Sequence, residues 1–206
     1  MKHSKFYKIF SIMLLGAASV TIPLTAQTGK VTLDSPQFDE LPSPDVDGNT
    51  GLKNFKPKDW LEVEVKMNIE MPKSYTEQFI NNVTVKWYVA IDEPGGKRSV
   101  YLEKEVTHIN VPVGQDFFSS VYLSPAAVLR ISGSDSASKR VVTSVGGEVL
   151  VNGQPAHDKS GFFSSKGNPG WWTQLARYDK IQLRNKNETP FKFLWWDRYA
   201  EIEERR

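Results

Sequence analysis

The chain has 206 residues, a formal charge of +2 and no cysteine, which excludes disulfides, thiolate metal sites, a cysteine nucleophile and a lipidated-cysteine anchor. The basic excess sits at the start: without Lys2, Lys5 and Lys8 the formal charge falls to about −1. No nucleic-acid partner is expected, since that binding needs surplus Lys and Arg to neutralise phosphates.

In chain order, residues 1–26 read as a secretory signal peptide, with three lysines, an apolar core and Leu24-Thr25-Ala26 as cleavage site. The apolar run is short for a bilayer, so no transmembrane span is expected in the mature chain. An exported bacterial protein is expected, in the periplasm, at the outer membrane or on the cell surface. Residues 27–58 form a Pro/Asp-rich N-terminal arm with a short edge strand near Val31. Within the arm, Asp45, Asp47 and Asn49 place three oxygen side chains at alternate positions, as a calcium loop begins. Thr50 then stands where such a loop needs glycine, and Lys56 where a glutamate should close it. These residues are a weak calcium candidate, a polar turn is the expectation, and no cofactor is expected.

Residues 59–197 carry the fold. From 59 to 71, Leu61, Val63, Val65, Met67, Ile69 and Met71 alternate with Glu62, Glu64, Lys66, Asn68 and Glu70. This predicts a strand with one face in the core and the other in water. Residues 72–80 form a connection with room for one helical turn. Val83, Val85, Trp87, Val89 and Ile91, the turn residues Pro94-Gly95-Gly96, and then Val100, Leu102 and Val106 predict a hairpin. The apolar phase changes at His108-Ile109, which predicts a bulge or a bend between sheets. Residues 117–123 are a further strand. Ser124-Pro125 opens a short helix that Gly133 closes. Residues 140–145 and 148–151 read as two strands separated by Gly146-Gly147; 171–177, 180–184 and 191–196 read as the remaining strands, and 198–206 as a charged tail. Eight or nine strands and one short helix predict an all-β, antiparallel immunoglobulin-like β-sandwich with Trp87 in its core, with a β-barrel as the alternative.

Chemistry-bearing patterns are sparse, and no catalytic residue is assigned. Glu62 and Glu64 share a strand face at a spacing of roughly 7 Å that a carboxylate-pair hydrolase uses, but regular alternation predicts a solvated face instead. His157, Asp158 and Ser160 include triad residue types without any sign of a nucleophile elbow. The aromatic pairs stand out. Adjacent residues on a strand face opposite ways, so Trp171, Trp172, Leu194 and Trp196 are the partner-binding candidates, unless the arm or tail covers the second face. Envelope proteins are the expected partners, with a glycan as the alternative through the same tryptophans; a homo-oligomer is a further possibility.

The signal peptide, the arm, the Trp60-Leu61-Glu62-Val63-Glu64-Val65 strand, Val83-Thr84-Val85-Lys86-Trp87-Tyr88-Val89 and the Phe191 to Trp196 segment together resemble small exported proteins of gut-commensal Verrucomicrobia encoded among type IV pilus assembly genes. The resemblance implies an immunoglobulin-like, non-enzymatic envelope protein that works with pilus components. The chain lacks a prepilin-type glycine cleavage site followed by a long helix, so an accessory role is expected rather than that of a filament subunit.

Overall fold

A computed structural model describes residues 28–44 and 56–204. The expected signal peptide and the calcium candidates Asp45, Asp47 and Asn49 therefore lie outside the described residues. Among the described residues two sheets face each other and do not close into a barrel, which sets the β-barrel alternative aside.

The strands are β1 (Lys30–Leu33), β2 (Gln37–Pro42), β3 (Asp59–Glu70), β4 (Phe79–Asp92), β5 (Ser99–Pro112) and β6 (Asp116–Leu123). After helix α1 (Pro125–Ser132) come β7 (Ser144–Val151), β8 (Gln154–Pro155), β9 (Phe162–Ser164), β10 (Ala176–Arg177), β11 (Arg184–Asn185) and β12 (Glu201–Ile202). One sheet runs β1-β3-β6-β11, with β2 beside β1 on the same edge of β3. The other runs β10-β5-β4-β7-β8, with β9 also on β7 and β12 also on β5. All pairings between these strands are antiparallel except that of β10 with β5. The arm is thus no separate appendage, because it supplies two strands that pair with β3 along most of its length.

Between the sheets lie Leu61, Val63, Val65, Met67 and Ile69 from β3, facing Val83, Val85, Trp87, Val89 and Ile91 from β4. Trp87 is fully buried and meets Phe163 edge-on at 5.1 Å. The β4–β5 hairpin forms as its turn residues predict. The predicted change of phase is also present: Val106 and His108 are buried before Asn110, Val111 after it, and Asn110 itself adopts a left-handed φ of 55°. No residue is inserted, since Ile80 pairs with Val111 and Asn82 with Ile109 in one unbroken register. The left-handed turn at Asn110 instead kinks the strand, and the buried set changes phase on β4 as well, from Ile80 to Val83.

Helix α1 follows its sequence signals closely. The Ser124 hydroxyl accepts from the Ala127 N–H, Pro125 opens the helix, and Gly133 ends it at φ 72° with its N–H bonded to the Leu129 carbonyl. Removing the cap by Ser124→Ala should cost about 1 kcal/mol, read as a lower urea midpoint with an unchanged slope.

Four expectations are corrected. Gly146-Gly147 does not separate a pair of strands: β7 runs through both glycines, and residues 139–141 form a 3-10 turn. Each glycine makes room for an aromatic ring on one face of the sheet. A Cβ on Gly146 would stand 2.7 Å from Trp172 Cζ3 on the outer face, and one on Gly147 would meet Phe163 and the Lys86 carbonyl on the inner face. Residues 171–177 and 180–184 are not strands either, since Trp171–Gln174 is a 3-10 turn and only Ala176–Arg177 and Arg184–Asn185 pair. Nor are residues 191–196, where Pro190–Phe193 and Trp196–Arg198 are 3-10 turns joined by a left-handed Trp195 at φ 53°. The connection at 72–80 holds no helical turn.

Candidate functional site

On β3 and β6 the side chains that point away from the core are Glu62 and Glu64, and Phe118, Ser120 and Tyr122. The segment from Lys186 to Glu204 lies across them, and its path follows from local capping. Asn185 and Glu188 form a capping box, with the Asn185 side chain accepting from the Glu188 N–H and the Glu188 carboxylate from the Asn185 N–H. Thr189 caps the next turn, whose first residue is Pro190. That turn drives Phe191 down onto the sheet, where it is buried, stacked on Tyr122 at 5.6 Å and edge-on to Trp60 at 6.0 Å. After the bend at Trp195, Arg198 and Tyr199 return to the sheet. Tyr199 bridges Phe118, and β12 then pairs with β5, so this strap ties one sheet to the other.

Under the strap, Glu62 and Glu64 are each only 4% exposed, which overturns the expected solvated face. Their oxygens are well supplied with donors. Tyr122 donates to Glu62 Oε1 at 2.5 Å, and Ser120 donates to the Tyr122 hydroxyl at 2.9 Å. Tyr199 donates to Glu62 Oε1 at 3.1 Å and also to Glu64. Arg198 pairs with Glu64, and its guanidinium lies 3.9 Å from the centre of the Phe118 ring. Burial holds the Glu62 carboxyl above the usual carboxylate range, with the Tyr122 hydroxyl opposing the shift and neighbouring Glu64 adding to it. Burial likewise raises both tyrosine hydroxyls, which remain donors at neutral pH. Beside this group, Lys186 is 4% exposed and lies over the rings of Tyr199 and Trp196 at 4.8 and 5.7 Å.

A second link lies in the core. His108 is fully buried, with Nε2 2.9 Å from Ser119 Oγ and Nδ1 3.3 Å from the Ala200 carbonyl of the strap. Trp87 Nε1 donates to the same Ser119 hydroxyl at 3.4 Å. Burial pushes the imidazole down to about 4, against the effect of the strap carbonyls, so it is neutral at pH 7.

The four candidate residues do not share one surface. Trp171 and Trp172 lie outside the seven-stranded sheet, where Trp172 is buried and stacked on Tyr88 at 4.5 Å. Leu194 and Trp196 lie on the strap over the five-stranded sheet, and only Trp196, 58% exposed, is open to solvent to a large degree. Its neighbours Phe193 and Trp195 are 72% and 47% exposed, so three of the five exposed large hydrophobic side chains among the described residues fall within positions 193–196. Phe193 and Trp195 are thus members of the site that a strand reading misses, because it turns them to the core face with Phe191, and Lys186 is a third that the aromatic pattern does not pick out. His157 sits in a surface turn with Nδ1 3.0 Å from Asp158, remote in sequence and contact from the strap. Among the described residues no group of histidine and acidic side chains fits a metal ion, and no helix is long and apolar enough to cross a membrane.

One family model matches residues 23–206. A crystal structure from Akkermansia muciniphila is 32% identical and superposes with a TM-score of 0.76, over 88% of this chain and 96% of that one. Among curated proteins none matches the sequence.

Proposed function

Because the chain belongs to the family matched over residues 23–206, we propose that it is a non-enzymatic protein-interaction module, exported to the cell envelope and accessory to a type IV pilus or a related assembly. The reading is carried by the ridge of Phe193, Trp195 and Trp196, aromatic side chains held outward on a strap that the latch beneath it fixes in place. Exposed aromatic rings on a rigid support are the usual anchors of protein interfaces. The Akkermansia muciniphila structure supports the verrucomicrobial resemblance, and that resemblance implies the pilus setting. A non-enzymatic role agrees with the buried carboxylates and tyrosines, whose hydrogen bonds are made to one another beneath the strap rather than offered to a substrate.

The mature chain, immobilised and exposed to an envelope extract of the source cells, is expected to retain pilus assembly proteins. A Phe193→Ser/Trp195→Ser/Trp196→Ser variant should retain at least tenfold less. Equal capture by the variant would remove the ridge from the interface, and capture of envelope proteins unrelated to pili would overturn the pilus assignment.

A further inference from the structure

Beside the ridge, the strap borders a half-open cavity of about 450 Å³, lined by Lys186, Trp196 and Tyr199 with Ile109 of β5, and rimmed by Asn187, Lys192, Glu201 and Glu204. This volume is within the range of small-molecule sites. Lys186 is the unusual member. It is 4% exposed and makes no ion pair among the described residues, and its one hydrogen bond is a long 3.5 Å contact to the Lys192 carbonyl. A buried ammonium without a carboxylate is costly, and this one lies over two aromatic rings that themselves wall the cavity. The other charges at the rim are already engaged: Lys192 pairs with Glu204 at 2.9 Å, and Glu201 accepts from Asn110 at 3.1 Å.

We propose that this cavity binds a carboxylate-bearing sugar, its carboxylate on Lys186 and its ring against the exposed face of Trp196. Among the described residues lining the cavity, Lys186 is the cation without an ion pair, and an indole face packs well against the C–H face of a pyranose. Asn187 and Glu201 provide the mixed donor and acceptor groups that ring hydroxyls require. Glu201 also sets a limit on charge, since Lys192 balances Glu204 but only the neutral Asn110 amide faces Glu201, and a doubly charged phosphate would meet that carboxylate where a single carboxylate can keep to the lysine side. Burial holds Lys186 below the ordinary lysine range, with the Glu62 carboxylate opposing that shift at longer range, and a bound carboxylate would add the direct ion pair that Glu62 does not make. This goes beyond the protein-interaction reading and does not depend on it.

Titration calorimetry of the purified mature chain with glucuronate, glucose and inorganic phosphate provides the test, with N-acetylneuraminate as a second acidic sugar. At least one of the two acidic sugars should bind, at least tenfold more tightly than glucose or phosphate. Lys186→Met should weaken it at least tenfold and Trp196→Ala at least threefold. Trp196 is exposed, so that second variant retains the fold and remains informative even where Lys186→Met does not fold. Equal binding of glucose, no binding of either acidic sugar, or full binding by the Trp196 variant would overturn the proposal. So would binding only of a short peptide through its free terminal carboxylate, which would assign the cavity to a protein partner.

Discussion

Replacing Arg198 with methionine should lower the unfolding free energy by about 2–3 kcal/mol at neutral pH, and adding Glu64→Leu should recover most of that loss. The asymmetry follows from where the two charges lie. The Arg198 side chain is 49% exposed and the Glu64 side chain 5%, so water screens the arginine and the attraction alone contributes little. Its removal nevertheless leaves a buried carboxylate with Tyr199 as its remaining donor in this cluster. An uncompensated buried charge is costly, whereas an apolar pair of similar volume is often neutral. A double-mutant cycle in urea should therefore give a coupling energy of at least about 1 kcal/mol between the two sites. Additive losses would show that the strap is held by its aromatic contacts, chiefly Phe191, and not by the carboxylate latch. Loss of the exposed ridge's capture activity in Arg198→Met, with the core still folded, would tie the latch to function.

The alternation from Leu61 to Ile69 was sufficient to define β3 and its inner face, because only one register buries those residues. It said nothing of what lies on the other face. Glu62 and Glu64 look identical in sequence whether they meet water or a tail that returns more than a hundred residues later, and only tertiary contact decides. Gly146-Gly147 misled for a related reason. Paired glycines ordinarily mark a turn, yet here each leaves space for a ring, Trp172 outside and Phe163 inside, and both rings come from distant segments. The strap is different, because its signals were present. Phe191, Phe193 and Trp195 do fall at alternate positions, but Thr189-Pro190 repeats the same cap-then-proline grammar that correctly opened α1 at Ser124-Pro125. Asn185 and Glu188 add a capping box. Local capping outweighed a period-two pattern only three residues long. Within the binding site, Trp196 was legible as an aromatic without an inward reason, but the burial of Lys186 was not, since a lysine among polar residues ordinarily faces water.

Acidification should destabilise the protein between pH 6.5 and 4, and most of that loss should be traceable to His108. The imidazole's folded value of about 4 lies below its ordinary value of 6.5, so in that interval the unfolded chain takes up the proton and the folded one does not. Its contribution is complete above pH 6.5, falls as the pH drops toward 4, and changes no further below that. A displacement of this size corresponds to about 3 kcal/mol at most. Glu62 acts in the opposite sense. Its carboxyl is held above the usual range, so the folded state accepts its proton first and gains relative stability as the pH falls. The measured slope of the parent is therefore the difference of two effects, and a variant separates them. In His108→Gln, unfolding free energies taken from pH 7.5 to 4 should lose the downward slope and expose the gentler rise due to Glu62. The same variant should have a weakened hold on the strap at pH 7, since Nδ1 faces the Ala200 carbonyl, and proteolysis should then begin beyond Tyr199 before the sheets open. An unchanged slope in the variant would mean that the imidazole takes up its proton equally in the folded and unfolded chain, in which case Ser119 and the Ala200 carbonyl offset the cost of burying its charge.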